Sequence, residues 1–198
     1  MRNEDKTCIL VCQIMGDEAM AAPLDSPPRK LVFADPRLEK AVRKAVGKAS
    51  WWRGVLTQAD VQGLRELDAY SKGITSLEGI EALTSLKELG LKNNQIGDLR
   101  PLAGLKSLTL LVLFSNQISD VTPLAGLKSL TEFDLRQNQV SDVAPLAGLK
   151  SLTCLDLQQN RISDVKPLAG LTSLTWLDLK SNKIMDFSPL VGIEGVQR

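Results

Sequence analysis

From about residue 64 onward, apolar and polar positions recur in a block of 22 residues. Leu64, Leu86, Leu108, Leu130, Leu152 and Leu174 stand 22 apart, and two further apolar columns follow three and five places on: Leu67, Leu89, Leu111, Phe133, Leu155, Leu177, then Ala69, Leu91, Leu113, Leu135, Leu157, Leu179. The end of each L-x-x-L-x-L run alternates with period two, so its side chains point to opposite faces of a short strand. One such strand per block cannot close its own apolar face. Burial then requires that successive blocks stack, and the prediction is a solenoid with one continuous core.

The rest of the unit supplies the turns. Asn94, Asn116, Asn138, Asn160 and Asn182 stand where each strand must bend away, and an amide there can satisfy buried backbone groups from coil to coil. Asp98, Asp120, Asp142, Asp164 and Asp186 precede prolines whose φ is already set, which predicts capped 3₁₀-like segments on the opposite side. The unit resembles a leucine-rich repeat. The predicted fold is an α/β repeat: a right-handed leucine-rich-repeat solenoid with a parallel sheet on the concave face and a 3₁₀ or irregular convex side. Six coils are expected over 64–198, the first degenerate and the last without an evident cap.

Upstream, Asp35-Pro36 has the form of an N-cap followed by a first-turn proline. Leu38, Val42 and Ala45/Val46 follow at helical spacing, and Gly47 can end the helix. Thr57 and Asp60 have the spacing of a capping box. Residues 32–63 therefore read as a helical N-terminal cap, with Trp51-Trp52-Arg53 packing it onto the first coil, and 1–31 as a leader or disordered segment.

These same stretches carry a family resemblance. Phe33-Ala-Asp-Pro36, the helix to Gly47-Lys48, Leu56-Thr-Gln-Ala-Asp60 and Leu67-Asp-Ala69, joined to the Asn-Gln-Ile-Ser-Asp-Val-x-Pro-Leu unit, resemble the cap and repeats of the bacterial internalins over about residues 33–193. The resemblance implies a secreted or wall-attached protein that binds host surface proteins through its concave strand face. The chain departs from that pattern in three ways: a poor secretion signal, no immunoglobulin-like segment after the repeats, and no wall-sorting motif.

Composition narrows the function. Lys and Arg number 24 against 23 Asp and Glu, a net charge of +1, which removes any whole-molecule case for binding nucleic acid or a membrane surface. The balance hides a local excess: residues 29–53 hold eight basic and two acidic side chains, among them Arg37, Lys40, Lys44 and Lys48 on one side of the cap helix. That reads as the charged outer face of an amphipathic helix. The absence of histidine closes Ser/His, Cys/His and His-metal chemistry, and Cys8, Cys12 and Cys154 form neither a disulfide framework nor a zinc set. With no nucleophile motif and no glycine-rich phosphate loop, no enzyme activity, cofactor or metal is expected. No run is long enough for a transmembrane helix. Residues 7–15 and Ala19-Met20-Ala21 imitate a signal peptide, whereas Glu4, Asp5, Gln13, Asp17 and Glu18 break the pattern. Secretion or surface display and a cytoplasmic location both stay open, and so does the question of whether the chain is a fragment.

The outward strand positions form three columns: Glu66, Glu88, Leu110, Glu132, Cys154, Trp176; Asp68, Gly90, Val112, Asp134, Asp156, Asp178; and Tyr70, Lys92, Phe114, Arg136, Gln158, Lys180. Most are polar, but the third coil turns Leu110, Val112 and Phe114 outward together, inside a charged surround. An apolar centre with a polar rim is the arrangement of an interaction hot spot. The candidate partner-binding set is therefore Leu110, Val112 and Phe114 with Tyr70, Lys92, Asp134, Arg136 and Trp176, the last either a second anchor or part of a terminal lid. The Asp134, Asp156 and Asp178 ladder reads as neutralised by Arg136, Arg161, Lys180 and Lys183. The expected function is a non-catalytic protein-binding module, whose partner and oligomeric state the sequence does not identify. An intracellular leucine-rich-repeat regulatory subunit or scaffold is the alternative.

Overall fold

A computed structural model describes residues 30–48, 54–193 and 195–198. The leader, Cys8, Cys12 and Trp51-Trp52-Arg53 lie outside the described residues.

The cap begins with Lys30 bridged antiparallel to Thr57, and the Leu31 N–H donates to the Leu56 carbonyl at 2.8 Å. Helix α1 (Pro36–Ala45) follows. The buried Asp35 carboxylate caps it through the Arg37 N–H at 2.8 Å and takes the Thr75 N–H, also at 2.8 Å, so one side chain both starts the helix and ties it to the first coil. Leu38, Ala41 and Val42 are its buried stripe. Gly47, at φ +72°, ends it with the Lys48 N–H reaching back to the Arg43 carbonyl. Helix α2 (Gln58–Val61) is capped as expected: the Asp60 carboxylate accepts from the Thr57 N–H at 2.9 Å.

Among the described residues, seven parallel strands follow in sequence order within one sheet: β1 (Glu66–Asp68), β2 (Glu88–Gly90), β3 (Leu110–Val112), β4 (Glu132–Asp134), β5 (Cys154–Asp156), β6 (Trp176–Asp178) and β7 (Val196–Gln197). From β1 to β6 each residue pairs with the one 22 further on. Among the described residues the convex side carries six 3₁₀ segments, five of which have the repeat proline in their first turn. The aspartates before them accept from the N–H two residues on, as Asp120 does from Thr122 at 2.8 Å.

Between sheet and convex side lies one uninterrupted apolar core from Phe33 to Ile193. The asparagine column closes it. Asn138 donates to the carbonyls of Leu113 in the preceding coil (3.0 Å) and Leu135 in its own (3.1 Å), and accepts the Ile118 N–H at 3.0 Å; Asn94, Asn116, Asn160 and Asn182 repeat the pattern. The residue before each asparagine, from Asn93 to Ser181, has φ between 51° and 57°. The strand thus reverses on a left-handed residue that the amide bonds hold in place.

At the other end the sequence led to six coils without an evident cap, whereas the chain adds a seventh strand. The Leu177 and Leu179 N–H groups donate to the carbonyls of Gly195 and Gln197. Ile193 is buried and Val196 half-buried against the last coil, while Val191 stays 82% exposed and takes no part. Among the described residues no helix is long and apolar enough to cross a membrane.

Candidate functional site

The three outward columns line the concave face, because every inward position of the strands is filled by a buried apolar side chain. In the second column the aspartates have a local job. Asp68, Asp134, Asp156 and Asp178 each accept the N–H two residues on, closing the turn that leaves the strand. Asp156 and Asp178 are buried in doing so.

Coil three is different. Leu110, Val112 and Phe114 carry no polar atom for such a turn, and all three are partly exposed beside one another on β3 and the residues just after it. Arg136, from coil four, organises the polar side. Its guanidinium pairs with Asp134 at 2.7 Å, reaches Asp156 at 3.0 Å in the next coil, and lies over the Phe114 ring. The hydrogen bond to Asp134 raises the Arg136 pKa more than burial lowers it, and the charges of Asp134, Asp156 and Asp178 add to the rise. Burial pushes the Asp156 carboxyl the other way, to about 6. The Gln158 N–H and Arg136 oppose that rise, while Asp134 and Asp178 add to it.

Together these side chains frame a depression of about 320 Å³ in the concave face, lined by Leu110, Val112, Glu132, Asp134, Arg136, Cys154, Asp156 and Trp176 over Leu111 and Phe133. Of the residues expected to bind, Leu110, Val112, Asp134, Arg136 and Trp176 line it directly, and Phe114 adjoins it through Arg136. Trp176 is half-buried and contributes to the wall of the depression. Tyr70 and Lys92 stand apart towards the cap. The Lys92 ammonium sits 4.6 Å from the centre of the Tyr70 ring, and that ring fills the space over Gly90. Glu132, Cys154 and Asp156 join the site without having been in the sequence-derived set; what signalled them was their offset from Leu110 and Val112 by one or two 22-residue repeats. Asp178 pairs with Lys180 at 3.8 Å, whereas Arg161 and Lys183 make no ion pair with the ladder among the described residues.

The Cys154 thiol does not fit a nucleophile. Burial, then Glu132, Asp156 and Asp134, raise its pKa against a smaller opposing effect of Arg136, which keeps it protonated. Among the described residues no group of three or more His, Cys, Asp or Glu could hold a metal ion.

A larger depression, about 430 Å³, lies on the cap between Arg37, Lys40, Arg43, Lys44, Lys48 and Lys72. It is a trough between long cationic side chains on the outer flank of α1. Arg43 there pairs with Glu39 and Lys48 with Asp60, both at 2.6 Å. We regard the smaller, mixed apolar and charged depression on the strands as the better candidate site, because apolar walls with a few placed polar groups are what recognition surfaces share.

Residues 128–184 match the family pattern described as "Leucine rich repeat", and residues 62–104 and 106–148 match that described as "Leucine Rich repeats (2 copies)", together well over half of the chain. Internalin H of Listeria monocytogenes serovar 1/2a is 39% identical over 79 residues, 39% of this chain and 14% of that protein. Among solved structures, an internalin (inlF) of L. monocytogenes 4b F2365 superposes with a TM-score of 0.70 at 30% identity, covering 87% of this chain and 59% of that one. Internalin C2 of the same strain gives 0.62 at 37% identity, covering 85% of this chain and 95% of that one. The chain thus spans less than two thirds of internalin H and of the inlF structure.

Proposed function

We infer the function from one premise: the chain belongs to the leucine-rich-repeat family, in its internalin-like form. Members of this family are protein-interaction modules and are typically non-catalytic. For this chain the reading is a non-catalytic binder that holds a protein partner on its concave strand face, with the centre of contact at coil three.

One observation carries that reading. Leu110 and Val112 stand on the outward face of a strand, partly exposed, where the same columns on neighbouring strands carry Glu88, Glu132 and Asp134. Desolvating such a centre is favourable, and a charged surround fixes register and excludes water, so a partner gains most of its affinity there. Trp176 and Arg136 are the residue types that anchor interfaces most often, and both border the same depression. The Phe114 ring already packs under the Arg136 guanidinium, and a side chain packed before contact loses less entropy on binding.

The test is placement of a photo-crosslinking amino acid at position 110, at 176 and, as a control, at Met185, which is 97% exposed and lies outside the sheet. A protein adduct formed from 110 and 176 and absent from 185 supports the concave site. An adduct from 185 alone overturns it.

A further inference from the structure

The concave face is electrically divided. Its first two columns hold seven carboxylates, Glu66, Glu88, Glu132, Asp68, Asp134, Asp156 and Asp178, and no cation; Lys92, Arg136 and Lys180 all stand in the third. The three cations are committed. Arg136 pairs with Asp134 and Asp156, Lys180 with Asp178, and Lys92 lies on Tyr70.

The glutamates are not committed. Glu66, Glu88 and Glu132 make no ion pair among the described residues, and all three are exposed. Glu66 is the direct strand partner of Glu88, and like charges facing each other across neighbouring strands destabilise a sheet. Glu88 and Glu132 are the two strand partners of Leu110, so residues with unpaired carboxylates stand one strand away on either side of the apolar centre. The effect reaches the neighbouring groups. Tyr70, its pKa raised first by burial, is raised further by Asp68, Asp134 and Glu88. The face already shows how it seats a cation, since Arg136 pairs with two carboxylates and lies over the Phe114 ring.

Resting on the reading that the concave face binds protein, we propose that the partner presents a basic, apolar segment: an aliphatic or aromatic side chain seated on Leu110 and Val112, flanked by lysine or arginine side chains that pair with Glu88 and Glu132. Complementary charge of this kind steers encounter and sets specificity, and its contribution fades with salt.

A random peptide library displayed on phage, selected on the wild-type chain at low salt, tests the proposal. The enriched peptides carry at least two Lys or Arg around an apolar residue. The synthetic peptide of the most enriched sequence binds at least tenfold more weakly to Glu88→Gln+Glu132→Gln, whose exposed substitutions leave the fold intact, and at least tenfold more weakly on raising NaCl from 50 to 300 mM. Val112→Asp+Phe114→Asp abolishes its binding. Peptides that depend on Val112 and Phe114, yet carry no basic excess and ignore the glutamine substitutions, overturn the cationic partner and leave the concave site standing. Peptides indifferent to both pairs of substitutions overturn both.

Discussion

The Arg136 guanidinium lies 4.9 Å from the centre of the Phe114 ring, one coil away, while the same group reaches forward to Asp156 in the coil beyond. A single side chain therefore couples the apolar rung to the acidic ladder across three coils.

Burial gives Asp156 a measurable signature that Arg136 offsets only in part. In the unfolded chain its carboxyl titrates near 3.8, and in the folded chain near 6, chiefly because it is buried. A carboxyl raised on folding favours the folded state only while protonated, so its contribution is full below the unfolded value and is lost as pH rises through about 6. Asp156→Asn, which keeps the acceptor for the Gln158 N–H, should be more stable than wild type at pH 7.5 by roughly 2 kcal/mol, and the gap should close as pH falls to 4. Urea denaturation at the two pH values checks this, and a gap independent of pH contradicts it.

The asparagine column should be the most sensitive polar feature of the core. Asn138→Ala leaves the Ile118 N–H without its acceptor inside the stack, while the Leu113 and Leu135 carbonyls each lose one of two donors and keep Asn116 and Asn160. At about 1–3 kcal/mol for a buried group left unpaired, a loss of roughly 2 kcal/mol is expected in urea denaturation. A loss below about 1 kcal/mol would mean the ladder is not a structural element.

The cap meets the first coil at a position that excludes any side chain. Gly79 has φ +101°, and a Cβ there would overlap the Val32 carbonyl and crowd Phe33. Gly79→Ala combines a conformational penalty with backbone overlap, so a destabilisation of at least about 2 kcal/mol is expected. Limited proteolysis should show the cap released before the repeats. A variant as resistant as wild type contradicts that packing.

Much of this architecture was legible in the residues. The 22-residue period fixed strand positions and register because every column keeps its chemistry. The Asp35-Pro36 and Thr57-to-Asp60 signals placed both cap helices because their spacing is local. What escaped depends on contacts between coils. Nothing near Asp156 in sequence indicates that Arg136 reaches it, and nothing in the second column marks Gly90 as lying beneath the Tyr70 ring. The strand at Val196–Gln197 has no L-x-x-L run, and its pairing is drawn from the open edge of β6. At the site, the outward columns named Leu110, Val112 and Trp176, but the depression they share needs the curvature of the stack to bring Cys154 and Asp156 alongside.

The central claim is that coil three of the concave face is the recognition surface. Its most direct test is the affinity of the crosslinked partner, once purified, for wild type and for Val112→Asp+Phe114→Asp, measured by calorimetry alongside thermal melts of both chains. Val112 and Phe114 are partly exposed, so the melts should agree within a few degrees while affinity falls at least a hundredfold. Unchanged affinity with unchanged melts would place recognition elsewhere on the molecule.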